Sequence, residues 1–136
     1  MAEHRLAGLS APSISDFEDL AAEAFAALPA EFRALCGEVV ITVADFPTDE
    51  VQKDMDAGPF DLLGLFQGVG LAQDGAIPET GRMPNMVFLY RRAILDYWAE
   101  HEETLGSLVT HVLVHEIGHH FGLSDDDMYG IEDRTP

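Results

Sequence analysis

Residues 115–125 of this chain read HEIGHHFGLSD, and this stretch is the most informative part of the sequence. His115 and His119 stand four positions apart, and Glu116 directly follows the first histidine. Positions i and i+4 of an α-helix differ by about 40° in direction and about 6 Å in height. The flanking Val114 and Ile117 suit a helix, so we expect both imidazoles to project from one helical face, one turn apart.

The two histidines have the spacing of a metal-binding helix motif. Imidazole nitrogens bind zinc at about 2.0–2.1 Å, and two of them one turn apart can converge on one ion. Glu116 is rotated by about 100° from His115, which puts its carboxylate beside the metal position. A general base for a zinc-activated water stands there in metal-dependent hydrolases. We therefore expect His115 and His119 as zinc ligands and Glu116 as the catalytic base.

A third ligand is needed, because catalytic zinc normally takes three protein ligands and a water. Gly122 falls just after the last predicted helical turn, where a residue in the left-handed conformation can reverse the chain. Asp125 follows three residues later and can then approach the ion from outside the helix. We expect Asp125 as the third ligand, with Asp126 and Asp127 as the alternatives, because the reach depends on the turn.

The other histidines near the motif are expected to stand outside this set. His111 shares the stripe with His115 but lies about 12 Å from His119 along the helix axis, too far for one ion. We expect it in the core or behind the ligands. His120 points about 100° away from His119 and is expected to be packed, hydrogen-bonded or a donor in the pocket wall. His101 has no histidine four positions later.

Two residues beyond the motif have more than one interpretation. Met128 is predicted to be a hydrophobic plug near the base of the metal site, since a thioether fills irregular gaps well. Tyr129 is either a surface or packing tyrosine, or a phenol that donates to an oxyanion near the metal. The acidic residues from Asp125 to Glu132 do not have the positions of a calcium-binding EF-hand loop.

The composition predicts one globular domain. The chain has 136 residues, 47% of them hydrophobic, and a mean hydropathy of +0.03. The 25 acidic residues against seven Lys and Arg give a formal net charge of -18. Such a surface repels phosphate backbones and anionic lipid, so we expect neither nucleic acid nor a membrane as partner. No stretch reaches the roughly 18 consecutive apolar residues that a membrane helix needs.

The single cysteine and the N-terminal residues predict a cytoplasmic protein. Cys36 has no second cysteine to pair with and is expected to be a small buried apolar residue. The N-terminus has an early acid and no long apolar run, so it does not resemble a signal peptide. Residues 1–14 are predicted to be a flexible leader and residues 15–136 one domain. The pattern does not indicate an oligomeric state.

Hydrophobic periodicity predicts an α+β fold. Ser15 and Glu18 have the spacing of a capping box, so a helix is expected from Ser15 to a stop at Pro29. Thr104 is the expected cap of the motif helix, which runs to about Phe121. A short helical turn is expected at 30–36 and a loop at 70–84. The remaining predictions are strands over 39–43, 62–68 and 85–90 and a helix over 91–100. These make a sheet of three or four strands against three main helices.

The chain resembles the small bacterial zincin-like metallopeptidase family. The resemblance rests on the HEIGHHFGL motif followed by Asp125, on residues 63–68 (LGLFQG), and on the helix from Phe17 to Phe32. It covers roughly residues 15–130 and implies a minimal zincin fold, with a small mixed sheet, an active-site helix and a backing helix. It also implies one zinc ion held by His115, His119 and Asp125, with Glu116 as base.

The resemblance also implies where a substrate would lie. In zincins a peptide lies extended along an edge strand above the metal, which here implies the strand that contains Leu63, Gly64, Leu65 and Phe66. The expected function is that of a zinc-dependent peptidase acting on peptides or proteins. The alternative is a metal-binding or protein-interaction module with little or no proteolytic activity, because the chain is small for a protease.

Overall fold

A computed structural model of the chain describes residues 5–68 and 85–135. The predicted α+β class is confirmed, and the predicted loop at 70–84 lies outside the described residues. The elements in chain order are α1 (Ile14–Ala26), α2 (Ala30–Cys36), β1 (Val39–Ala44), α3 (Asp49–Asp54), β2 (Gly64–Gln67), β3 (Asn85–Tyr90), α4 (Arg91–Ala99), α5 (Leu105–His120) and α6 (Asp125–Arg134).

The three described strands form one mixed sheet in the order β1-β3-β2. β1 pairs with β3 in parallel, with Val39 opposite Asn85, and β2 pairs with β3 antiparallel, with Gly64 opposite Leu89. Asn85 also donates from its side-chain Nδ2 to the carbonyl oxygen of Cys36 at 2.8 Å. Among the described strands, β2 has a neighbour on one side only, so none of them pairs with its outer edge.

The predicted cap of α1 was placed two residues too late in the sequence. Ser13, not Ser15, caps the helix: the Asp16 amide donates to Ser13 Oγ at 3.0 Å, and the Ser13 amide donates to the Asp16 carboxylate at 2.8 Å. Two overlapping S-x-x-acid frames exist here, at 13–16 and 15–18. The first frame forms the capping box, and Phe17 in the following turn is fully buried.

The expectation of three main helices missed α6. Ser124 caps this helix with a second capping box, in which the Asp127 amide donates to Ser124 Oγ at 3.1 Å. Two of its ten residues, Met128 and Ile131, are buried, so its amphipathic pattern is weak. A helix with so little apolar periodicity is hard to recognise in sequence, although the capping box signal was present.

Helix α5 is the centre of the molecule. It packs against α1, α4, α6 and the sheet, and seven of its residues are buried, on several faces: Leu108, Val109, Val112, Leu113, Val114, Ile117 and Gly118. A helix that is apolar around most of its circumference belongs inside a core. One stripe, formed by the histidines, stays at least partly exposed. No described helix has the length and apolar character needed to span a membrane.

Candidate metal centre

The three histidines of α5 form one continuous row. Thr104 caps the helix by accepting a hydrogen bond from the Ser107 amide at 3.1 Å, and the helix then runs for 16 residues. The ring centroids of His111 and His115 are 3.9 Å apart, and those of His115 and His119 are 5.8 Å apart. The predicted one-face arrangement of His115 and His119 therefore holds, and His111 extends it by a turn.

The chain reverses at the end of α5, as predicted. Gly122 has a φ of +77°, in the left-handed region. The amide of Leu123 donates to the carbonyl oxygen of Gly118 at 2.9 Å. The amide of Gly122 donates to the carbonyl oxygen of His119 at 3.2 Å. This pair of bonds is a Schellman motif, which satisfies the last helical carbonyls and turns the chain back.

The reversal lays α6 along the histidine row in the opposite direction. Asp125 in the first turn of α6 has Oδ1 4.0 Å from Nε2 of His119. The ring centroid of Tyr129 lies 5.4 Å from that of His115, and the tyrosine is half exposed. Glu132 in the last turn lies opposite His111 and His115. Each turn of α6 thus offers an oxygen-bearing side chain to the row.

The predicted ligand set is brought together by this geometry. The donor atoms of His115, His119 and Asp125 all lie within 4.8 Å of one another. Two donors bound to one zinc ion at about 2.1 Å stand at most about 4.2 Å apart. The 4.0 Å between His119 and Asp125 meets that limit. Both side chains are mostly exposed, so they are free to close the rest of the gap, and the three residues fit a zinc ion.

The alternative acids are less well placed. The Asp127 carboxylate accepts a hydrogen bond from the Ser124 amide at 3.2 Å, so it serves the cap of α6. Neither Asp126 nor Asp127 belongs to a group of metal-type donors among the described residues. Asp125 is therefore the acid that the turn at Gly122 places next to His119.

Glu132 is a residue that the sequence analysis missed. Oε1 of Glu132 is 2.8 Å from Nδ1 of His111, and Oε2 is 3.3 Å from Nε2 of His115. Of the two positions expected for His111, the one in the core is wrong, since its side chain is 40% exposed. Asp125 and Glu132 are seven positions apart, which places them on one face of a helix. That spacing becomes informative only once α6 is known to be helical.

Glu116 lies against the sheet rather than in the histidine row. A Cβ on Gly64 of β2 would stand 3.4 Å from its Cγ, so the carboxylate side chain crosses directly over the edge strand. Burial raises the pKa of the Glu116 carboxyl above its ordinary value, and the nearby His119 partly opposes this. A carboxylate with a raised pKa is a better proton acceptor.

A cleft of about 410 Å³ lies where α5 meets the edge strand. His111, His115 and Glu116 lie on its α5 side, and the segment from Leu62 to Leu65 forms the opposite wall. Leu63, Gly64 and Leu65, three of the residues expected to bind substrate, line the cleft. Phe66 does not: its ring centroid lies 4.2 Å from that of His120 and 5.9 Å from that of Phe121. His120 is accordingly packed on an aromatic ring.

Met128 is the plug that the sequence predicted. It is fully buried, and a Cβ added to Gly118 would stand 2.5 Å from its sulfur. The absence of a side chain at Gly118 allows α6 to approach α5 closely enough for its acids to reach the histidines.

Residues 36–135 match the sequence profile of a family described as zincin-like metallopeptidase. The chain belongs to this family. The matched region contains the whole sheet, the histidine row and α6, while α1 precedes it. No curated protein matches the chain in sequence. The small mixed sheet with α5 beneath it is consistent with a zincin-like fold, and the family implies zinc and a peptide or protein substrate.

Proposed function

We propose that this zincin-like metallopeptidase hydrolyses peptide bonds with one zinc ion held by His115, His119 and Asp125. The observation that carries the proposal is the convergence of these three donors within 4.8 Å of one another, beside Glu116 and the cleft. A zinc ion bound there would act as a Lewis acid, activating a water molecule and polarising a peptide carbonyl.

Glu116 is the proposed general base. Its carboxylate accepts a proton from the attacking water and then delivers it to the nitrogen that leaves. The half-buried position of Glu116 and its raised pKa support this role, because a carboxylate whose pKa is raised holds an accepted proton more readily before it returns it.

The outer edge of β2 is the proposed binding site for the peptide backbone. The Tyr90 amide donates to the carbonyl oxygen of Leu63 at 3.0 Å, which fixes the hydrogen-bonding phase of the β2–β3 pair. Hydrogen-bonded pairs alternate with non-bonded pairs along an antiparallel ladder. Gly64 and Phe66 occupy the non-bonded positions, so their amides and carbonyls are directed outward, where an extended peptide can pair with them.

The decisive experiment compares zinc-loaded protein with its Glu116→Gln variant on a library of extended peptides. We expect cleavage by the wild type and a loss of rate of about 10²–10⁴-fold in the variant, the usual contribution of general acid–base catalysis. Zinc affinity should change little, because Glu116 is not among the three donors. Zinc binding without cleavage by the wild type would contradict the proposal and support a metal-binding module instead. Equal cleavage by both proteins would contradict the role of Glu116 as the base.

A further inference from the structure

A second group of metal-type donors lies one helical turn before the proposed zinc ligands. It consists of His111, His115 and Glu132, whose donor atoms lie within 4.8 Å of one another. The Glu132 carboxylate joins the two imidazoles, with oxygen–nitrogen distances of 2.8 Å to His111 and 3.3 Å to His115. Both distances are below the limit of about 4.2 Å for two donors on one zinc ion.

The three side chains are held by rigid elements. His111 and His115 share one face of α5, four positions apart, with ring centroids 3.9 Å apart. Glu132 directly follows Ile131, which is buried together with Met128 in the packing of α6 on α5. Side chains on packed helices hold a ligand geometry better than side chains on loops.

The charge and accessibility of this group also suit a cation. Among the described residues, the ion-pair partners of Glu132 are the two histidines, with no lysine or arginine. The side chains of His115 and Glu132 are 14% and 19% exposed, whereas that of His111 is 40% exposed and provides a route from solvent. Two imidazoles and a carboxylate are ligands that zinc and similar first-row divalent ions prefer.

We propose that His111, His115 and Glu132 form a second site for zinc or a similar divalent ion, and that this site competes with the first for His115. A neutral imidazole has one nitrogen lone pair, so His115 binds one ion at a time. An ion in the second site withdraws His115 from His119 and Asp125. The effect on catalysis rests on the proposed function, whereas the binding itself does not.

The test uses variants that separate the two sets. The double variant His119→Gln/Asp125→Asn removes the two donors that belong to the first set alone. We expect it to bind one equivalent of zinc in isothermal titration calorimetry. Adding His111→Gln should weaken binding by at least about 100-fold, since even indirect partners of a metal ligand contribute 10–100-fold. Circular dichroism in the presence of a chelator checks that each variant is folded.

A spectroscopic readout makes the test independent of activity. Zinc added to the ¹⁵N-labelled double variant should shift the Nδ1 signal of His111. The proposal is overturned if the double variant binds zinc no better than the triple variant, or if this signal does not move. If the double variant does not fold, the same signal is followed in the single variant His119→Gln, where no shift upon zinc addition overturns the proposal. These binding measurements do not depend on peptidase activity. A protein that cleaves no peptide would contradict the proposed function but not the second metal site.

Discussion

Gly118 on α5 and Met128 on α6 lie in such close contact that a Cβ on the glycine would stand 2.5 Å from the methionine Sδ and 2.8 Å from its Cγ. A side chain at position 118 would therefore require the buried Met128 or helix α6 to shift. The contact sets the separation of the two helices, and through it the distance of Asp125 and Glu132 from the histidine row. We therefore expect Gly118, which belongs to neither donor set, to influence the geometry of both.

Gly118→Ala should therefore destabilise the fold and weaken zinc binding together. Overpacking of a core contact typically costs about 1–3 kcal/mol, and the higher helix propensity of alanine offsets up to about 1 kcal/mol of it. Urea unfolding and zinc titration measure the two effects. The matched control is Gly130→Ala in α6, where an added Cβ meets no atom within 4 Å and should be neutral or stabilising. Equal behaviour of the two variants would contradict the role of the Gly118–Met128 contact.

Gly64→Ala tests the contact between the edge strand and the proposed base. An added Cβ would stand 2.9 Å from the Phe88 carbonyl oxygen and 2.9 Å from Cγ1 of Val112, and 3.4 Å from Cγ of Glu116. The backbone oxygen cannot move aside easily, so β2 must shift and thereby change its position relative to Glu116. We expect a loss of about 1–3 kcal/mol in stability and a larger fractional fall in kcat than in zinc affinity.

The control for the edge-strand variant is Gly106→Ala near the start of α5. There the nearest atom to an added Cβ is Cδ1 of Leu20 at 3.8 Å, an ordinary contact. This alanine should stabilise the helix by up to about 1 kcal/mol and leave peptide cleavage unchanged. If Gly64→Ala cleaves peptides as fast as Gly106→Ala, the cleft wall does not contribute to catalysis.

Zinc should stabilise the folded chain through His115. A ligand that binds only the folded state at 100 times its Kd raises the free energy of unfolding by about 2.7 kcal/mol. Because His115 belongs to both donor sets, His115→Gln should lose most of this gain. His101→Gln should keep it, since His101 stacks on Tyr97 and belongs to neither set. Thermal unfolding with zinc and with a chelator gives the comparison, and zinc stabilisation retained by His115→Gln would refute the prediction.

The parts of the site that follow from local geometry were predictable. His115, His119 and Glu116 depend on helical spacing alone, and the left-handed Gly122 follows from the end of the same helix. Glu132 was not predictable, because its position depends on the direction and length of α6. The roles of these residues in binding and catalysis stay predictions until metal and activity are measured.

The fold shows the same division between local and long-range information. The strands were recognised from β-branched runs such as residues 39–43, but the order β1-β3-β2 depends on pairing between distant segments. The start of α1 was misplaced because Ser13 and Ser15 both head an S-x-x-acid frame, and local spacing does not distinguish the two; the structure has the capping box at Ser13. Helix α6 has two buried residues, too few to set a clear period.

Cys36 should make stability fall at high pH. The thiol donates to the Phe32 carbonyl oxygen at 3.1 Å, and its burial raises its pKa from 9.0 to about 11. Below pH 9 the thiol is protonated in both the folded and unfolded chain. Between pH 9 and 11 the unfolded chain releases the proton first, so the stability from this group is progressively lost, on the order of 2–3 kcal/mol in total.

The Cys36→Ala variant isolates this effect from the other groups that titrate at high pH. Urea unfolding at pH 8 and pH 10.5 should show a larger drop in stability for the wild type than for the variant. Thiol labelling at pH 8 gives an independent measurement: the folded wild type should react far more slowly than the urea-unfolded chain, because the thiolate is the nucleophile and the buried thiol stays protonated. Equal labelling rates in the two states, or equal pH dependence in wild type and variant, would mean that the thiol is not held protonated by the fold.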